Sequence, residues 1–344
     1  MIDLRSDTIT KPTPEMLEAM FSAEVGDDVF GDDPTVKKLE QKAAEMFGME
    51  AAMFATSGTM TNQIAIKAQT FPGSEVICDK NSHIYLYEGG GVAQNSLSSV
   101  KLLDGQRGRI TAGQVLAAVN NPEDIHLPLS TLVSLENTMN KGGGAIYDFS
   151  EIKKIKEVCV EKQLKLHLDG ARLFNALVET PESPIEYGQV FDTISICLSK
   201  GLGAPIGSLL LANVGTIKKA RRIRKSMGGG WRQAGYLAAA GIFALENNIS
   251  RLKTDHENAR KLGEILKRCP FVKDILPIDT NIVIFELEPA FTPAEVLKRM
   301  SENGISAVQF GPGHIRLVTH LEFKTEFLEI FEKVVTQKNL LNAT

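Results

Sequence analysis

The chain has 344 residues, 43% hydrophobic and 23% charged, with a net charge of -4; it is long enough to bury a large core and to divide into two domains. This slightly acidic balance leaves no basic surplus for a general nucleic-acid or membrane surface and points to small-molecule partners. Cys78, Cys159, Cys197 and Cys269 form no Cys-x-x-Cys pair, which argues against a zinc site and a disulfide framework and favours a reducing cytoplasmic setting.

Residues 1–7 lack an apolar signal core, and no window reaches the roughly 18 apolar residues of a membrane span. The polar run 3–12 ends at Pro12 and reads as an arm before a helix at 14–23. Asp33 as N-cap and Pro34 at the first helical position predict a helix over 34–47, which Gly48 stops. From residue 51 short apolar strands alternate with amphipathic helices, the pattern of an α/β domain with a mainly parallel sheet. Strands are predicted at 51–55, 75–78, 99–103, 131–135, 164–169, 193–197 and 208–211. Helices are predicted at 59–70, 83–93, 111–119, 150–162, 171–178, 214–225 and 231–246. After Asn248 the character changes to a charged helix at 249–268, strands at 281–287, 305–309 and 314–319, and two more helices. The expected organisation is an N-terminal arm and large domain over 1–248, with a seven-stranded sheet, and a small α+β domain over 249–344. A cleft between them is the default ligand site.

Five segments can carry chemistry. Ser57-Gly58-Thr59 joins a strand to a helix through small residues whose N–H groups suit a phosphate, although a plain helix cap would look the same. With neither Gly-x-x-x-x-Gly-Lys-Ser/Thr nor Gly-x-Gly-x-x-Gly here, a small phosphorylated cofactor fits better than a nucleotide. His83 opens a helix, where it can stack on a ring or merely lie at the surface. Asp169 ends an alternating strand before Gly170, with Arg172 following; the pair can bind a protonated ring nitrogen and a carboxylate, or each other. Arg316, on a strand of the second domain, is costly there unless it meets an anion or an ion-pair partner. Lys200 ends the strand 193–197 and precedes Gly201, Gly203 and Gly207; it either snorkels to water or is held in a cleft as an amine nucleophile.

A phosphate cradle, a stacking histidine, a strand-end aspartate and a lysine 31 residues later are the parts of a pyridoxal-phosphate site. Six segments together resemble the low-specificity L-threonine aldolase family: Asp3-Leu4-Arg5-Ser6-Asp7-Thr8, Val25 through Pro34, His167-Leu168-Asp169-Gly170-Ala171-Arg172, Leu198-Ser199-Lys200-Gly201, Gly228 through Gly235, and Arg316-Leu317-Val318-Thr319-His320. The resemblance implies an aspartate-aminotransferase-like fold and a homotetramer built from dimers with active sites at the dimer interface. It also implies pyridoxal 5'-phosphate as cofactor, no catalytic metal, and retro-aldol cleavage of L-threonine and L-allo-threonine to glycine and acetaldehyde. By position, Lys200 carries the cofactor, Asp169 pairs with its ring nitrogen, His83 stacks on the ring, and Ser57, Gly58 and Thr59 hold the phosphate. Ser6, Arg172 and Arg316 match substrate-carboxylate residues, and Arg232 matches an arginine lent across the interface. His126 matches a histidine near the substrate hydroxyl, so His83 and His126 are both candidate bases. Two departures stand out, Met139 where relatives commonly carry histidine and Trp231 where methionine is common.

Overall fold

The computed structural model describes residues 1–336; residues 337–344, the end of the expected C-terminal domain, lie outside the described residues. In chain order the strands are β1 (Ile2–Asp3), β2 (Ala51–Ala55), β3 (Glu75–Asp79), β4 (Ser99–Leu103), β5 (Ser130–Glu136), β6 (Lys165–Gly170), β7 (Thr193–Cys197), β8 (Ser208–Ala212), β9 (Val272–Ile275), β10 (Ile282–Leu287), β11 (Ile305–Ser306), β12 (Val308–Gln309) and β13 (His314–Val318). Strands β2 to β8 pair in the order β2-β8-β7-β6-β5-β3-β4. The pairs among β3, β4, β5, β6 and β7 are parallel, and β8 runs antiparallel to both β7 and β2. The expected mainly parallel α/β sheet is therefore present.

Helices cover both faces of this sheet, so β3, β7 and β8 are buried along their whole length. The two faces differ in chemistry. One packs Leu166, Leu168, Ile194 and Ile196 into the main apolar core with Leu39, Phe47 and Phe174. The other turns His167, Asp169, Thr193 and Ser195 toward the helix Gly58–Gln69, whose Thr61, Asn62 and Gln63 are also buried. A buried polar layer is stable only when its groups are paired, and these are: Thr61 Oγ1 meets Ser195 Oγ at 2.6 Å and His167 Nδ1 meets Thr193 Oγ1 at 2.8 Å.

A second core forms around Phe271, Phe285, Leu317 and Phe331, against the antiparallel sheet β12-β13-β10-β9. The N-terminus belongs to it: β1 pairs in parallel with β11, and Ile2 and Leu4 pack into the same cluster. Among the described residues no helix is long and apolar enough to cross a membrane.

Several expected elements differ. The helix expected over 83–93 stops at Leu86, because Gly89 and Gly90 adopt φ of 61° and 72°, and the chain resumes as a π turn at Val92–Ser96. The helix expected from residue 231 begins at Gly235, where Asp33 accepts its backbone N–H. The strand expected over 305–309 divides into β11 and β12, which join different sheets. The helix Pro184–Val190 is not among the expected elements; the Ser183/Glu186 capping box with Pro184 at its first position sets its start.

Asp33 is the local anchor on which several of these elements meet. Its Oδ1 accepts from Thr35 and Val36, capping the helix Pro34–Phe47, and its Oδ2 accepts from Gly26 and Gly235. Replacing it by alanine leaves four N–H donors without that acceptor, so Asp33→Ala should lower unfolding stability by about 2–4 kcal/mol. Urea unfolding checks this; a change under about 0.5 kcal/mol would contradict it.

Candidate active site

The carboxyl ends of β5, β6 and β7 place Glu136, Asp169 and Ser195 side by side in register. In parallel sheets this edge is where ligands bind. Asp169 is 1% exposed, and its carboxylate accepts from Asn62 Nδ2 at 2.8 Å and from the Ala171 N–H at 3.1 Å. Among the described residues no lysine or arginine pairs with it. A buried carboxylate served only by neutral donors favours a cationic ligand.

The orientation of Asn62 follows from this carboxylate. Its Nδ2 donates to Asp169 and also to Glu88 Oε1 at 2.9 Å, so its Oδ1 must face His167 Nε2, 3.1 Å away. His167 is therefore the Nε2–H tautomer, with Nδ1 accepting from Thr193. Burial pushes its pKa down to about 4, which keeps it neutral.

Glu88 joins this network to the cleft. Its buried carboxylate accepts from Gln63 Nε2 at 2.5 Å and meets His83 Nδ1 at 2.9 Å. Burial opposes a charged imidazole, but the Glu88 hydrogen bond and the charges of Asp169, Glu88 and Glu136 outweigh it, so the His83 pKa is raised. With Nδ1 engaged by Glu88, the Nε2 side of His83 remains for a ligand. Ligand atoms of His83, Glu88 and Asp169 all lie within 4.8 Å of one another. Glu136 accepts from the His83 and Asn140 N–H groups at 2.7 and 2.9 Å, and burial followed by the Asp169 charge pushes its pKa up to about 7.

Lys200 lies just beyond β7, and its backbone carbonyl accepts from Thr10 Oγ1 at 3.1 Å. Its ammonium has no carboxylate partner among the described residues and donates only to Cys197 Sγ, at 3.5 Å. The same sulfur limits Gly58, where a Cβ would approach it to 2.6 Å, so the helix N-terminus comes this close only with glycine there. Ser57 caps that helix by accepting from the Met60 N–H at 3.2 Å, and the first-turn N–H groups of Gly58 and Thr59 have no partner within the helix. Phosphate-type anions suit such an end.

The arginines take unequal positions. Arg172 makes a two-pronged pair with Asp7, Nε to Oδ2 at 2.8 Å and Nη2 to Oδ1 at 2.7 Å, with both side chains buried. Arg316 is mostly buried, yet its partners are neutral oxygens: Asn140 Oδ1 at 2.9 Å and the Arg5 carbonyl at 3.0 Å. Its Nε has no partner. Burial and the nearby charge of Arg172 push its pKa down to about 10. Arg316 and His83 line one cleft of about 390 Å³ between the two sheets, with Tyr87 and Asn140. Ser6 turns its hydroxyl to Thr8, accepting from the backbone N–H at 3.2 Å.

Two expected site residues are not drawn into this cluster. Arg232 pairs with Asp27 at 2.8 Å and its side chain is 60% exposed. His126 lies in an exposed loop, its N–H donating to Asp124 Oδ1. The departures from the family pattern are absorbed structurally: Met139 is buried against Gly108, and Trp231 meets Phe54 edge-on at 5.0 Å. Sequence reasoning singles out none of Asn62, Glu88, Glu136 and Asp7. The available signal was the polar triplet Thr61-Asn62-Gln63 inside a helix otherwise fit for the core.

The chain matches the beta-eliminating lyase family over residues 3–289. It is 42% identical over 345 residues to a probable low-specificity L-threonine aldolase 2 of Arabidopsis thaliana, covering 97% of each chain. It is 43% identical over 330 residues to the low specificity L-threonine aldolase of Escherichia coli, covering 95% of this chain and 96% of that one. A threonine aldolase of Leishmania major superposes with a TM-score of 0.85 at 22% identity, covering 99% of this chain and all of that one. A putative L-allo-threonine aldolase of Listeria monocytogenes superposes with a TM-score of 0.79 at 23% identity, covering 99% and 96% of the two chains. These two structural likenesses speak to the fold.

Glu136 sets a pH dependence. Its folded pKa lies above the ordinary 4.5, so its favourable contribution is complete below about pH 4.5 and is lost as pH rises through 7. In cofactor-free protein the urea midpoint of the wild type, relative to Glu136→Gln, should fall across that window; a flat difference would contradict this origin.

Proposed function

The chain belongs to the low-specificity L-threonine aldolases of the beta-eliminating lyase family, and on that premise we propose that it cleaves L-threonine and L-allo-threonine to glycine and acetaldehyde with pyridoxal 5'-phosphate as cofactor. The observation that carries this reading is the Asp169 carboxylate, buried without a lysine or arginine partner among the described residues, at the same sheet edge as Lys200, whose amine makes no ion pair among them. The residues present fit the cofactor. Asp169 suits a protonated ring nitrogen, Lys200 suits its carbonyl carbon, and the Ser57–Thr59 helix end suits its phosphate. When bound, the group supplies a protonated ring that draws off the electron pair released at Cα.

The chain's own residues do the rest. The substrate carboxylate is held by Arg316, whose buried Nε lacks a partner, and by the Arg172 nitrogen that Asp7 leaves unengaged. Ser6 adds a hydroxyl at the same end. With the carboxylate fixed, the Cα–Cβ bond is aligned for cleavage. A base must take the β-hydroxyl proton, and what supports His83 is its place in the cleft with Nδ1 fixed by Glu88, directly or through a water. His126 and Arg232 are exposed in one subunit and act across a subunit interface in this reading, within a homotetramer built from dimers. Exposed Phe21, Phe30 and Ile125, at 79%, 76% and 93%, support association of subunits. The free, buried cysteines support a cytoplasmic setting.

Product analysis tests the reaction. Purified protein loaded with pyridoxal phosphate should form glycine and acetaldehyde in equal amounts from L-threonine, and Lys200→Ala should lose at least about a thousandfold in rate. Release of ammonia and 2-oxobutanoate, or undiminished cleavage by the variant, would overturn the assignment.

A further inference from the structure

The cleft that holds Arg316 contains a second cation for which threonine has no use. Lys141 belongs to a tight turn closed by Met139 N–H to the Ala145 carbonyl at 2.9 Å and Gly144 N–H to the Met139 carbonyl at 3.0 Å. Its neighbour Asn140 is anchored at both ends, the N–H to Glu136 and the side chain to Arg316. The turn therefore fixes where the lysine stem starts. Its ammonium lies over the Phe310 ring at 4.5 Å from the centroid and 6.0 Å from that of Tyr87.

The Arg316 guanidinium carbon also lies 4.5 Å from the Phe310 centroid, so the two cationic centres are at most about 9 Å apart. Lys141 has no ion pair among the described residues, and no aspartate or glutamate lines this cleft. The buried Asp7 charge reaches Arg316 but is already paired with Arg172, so a ligand with two anionic groups gives each cleft cation a partner of its own. Threonine offers one anionic group, its α-carboxylate, and carries a methyl group at Cβ.

We propose that this chain also cleaves β-hydroxy-α-amino acids whose Cβ bears a carboxylate in place of threonine's methyl, with Lys141 holding that second carboxylate while Arg316 holds the first. The proposal rests on the aldolase reading and extends its substrate class. The two carboxylates of such a substrate stand about 4 Å apart, and with charge-assisted contacts of about 3 Å at each end a bent arrangement bridges cations no more than about 9 Å apart. In the reaction the β-hydroxyl loses its proton, the Cα–Cβ bond breaks, and its electron pair ends on Cα, which gains a proton. From 3-hydroxyaspartate the products are glyoxylate and glycine, with no oxidant or reductant consumed.

The test compares kcat/KM for L-threo-3-hydroxyaspartate and L-threonine in the cofactor-loaded protein. The wild type should form glyoxylate and glycine. Lys141→Met should lower the ratio of the two kcat/KM values about tenfold, and Lys141→Arg should retain it. Absence of glyoxylate from an enzyme that cleaves L-threonine, an unchanged ratio in Lys141→Met, or an equal loss on both substrates would each overturn the proposal; the last would assign Lys141 to the α-carboxylate. Failure of the aldolase reading registers separately, as no acetaldehyde from L-threonine. In that event calorimetric binding of 3-hydroxyaspartate still decides: weaker binding to Lys141→Met supports the second-carboxylate contact, and equal binding refutes it.

Discussion

Burying the Asp169 carboxylate under a helix, with only neutral donors for company, is the constraint around which the rest of the site is arranged. A carboxylate in that position needs hydrogen bonds of fixed direction. Asn62 supplies one, which sets its amide, which sets the His167 tautomer; Glu88 shares the same amide and turns His83 toward the cleft. One buried charge thereby dictates four side-chain orientations on two helices, a strand and a turn. What it lacks is a cation, and that lack distinguishes a binding site from a structural ion pair such as Asp7 with Arg172.

The N-terminal segment ties the two cores to this centre. Residues Ile2 and Leu4 lie in the second core, and Leu4 accepts from Val318 two residues beyond Arg316. The Arg5 carbonyl then holds Arg316, Asp7 holds Arg172 and meets Asn281, and Thr10 holds the Lys200 carbonyl. Nine residues of chain thus join Arg172 and Arg316, one beside each sheet, to the lysine.

Much of this could be read from the residues. The strand alternations, the Asp33-Pro34 cap and the ends of β6 and β7 gave the sheet and brought Asp169 and Lys200 to one edge, because local periodicity and turn chemistry decide those features. The partners of Asp169 were hidden, since Asn62 and Glu88 are far from it in sequence and neither residue type in a helix or turn signals burial. The break after Leu86 depended on glycine conformations that sequence alone leaves open. From sequence Arg172 can be a ligand residue or a partner of Asp169; its partner instead comes from the N-terminal run, 165 residues away.

Reduction with borohydride of the protein loaded with pyridoxal phosphate, followed by peptide mass mapping, addresses the arrangement most directly. If Asp169 and the Ser57–Thr59 helix end position the cofactor as described, the added phosphopyridoxyl mass will appear on the peptide containing Lys200 and will be lost from Asp169→Ala at the same cofactor concentration. Modification centred on another lysine, or undiminished labelling of Lys200 in Asp169→Ala, would contradict it.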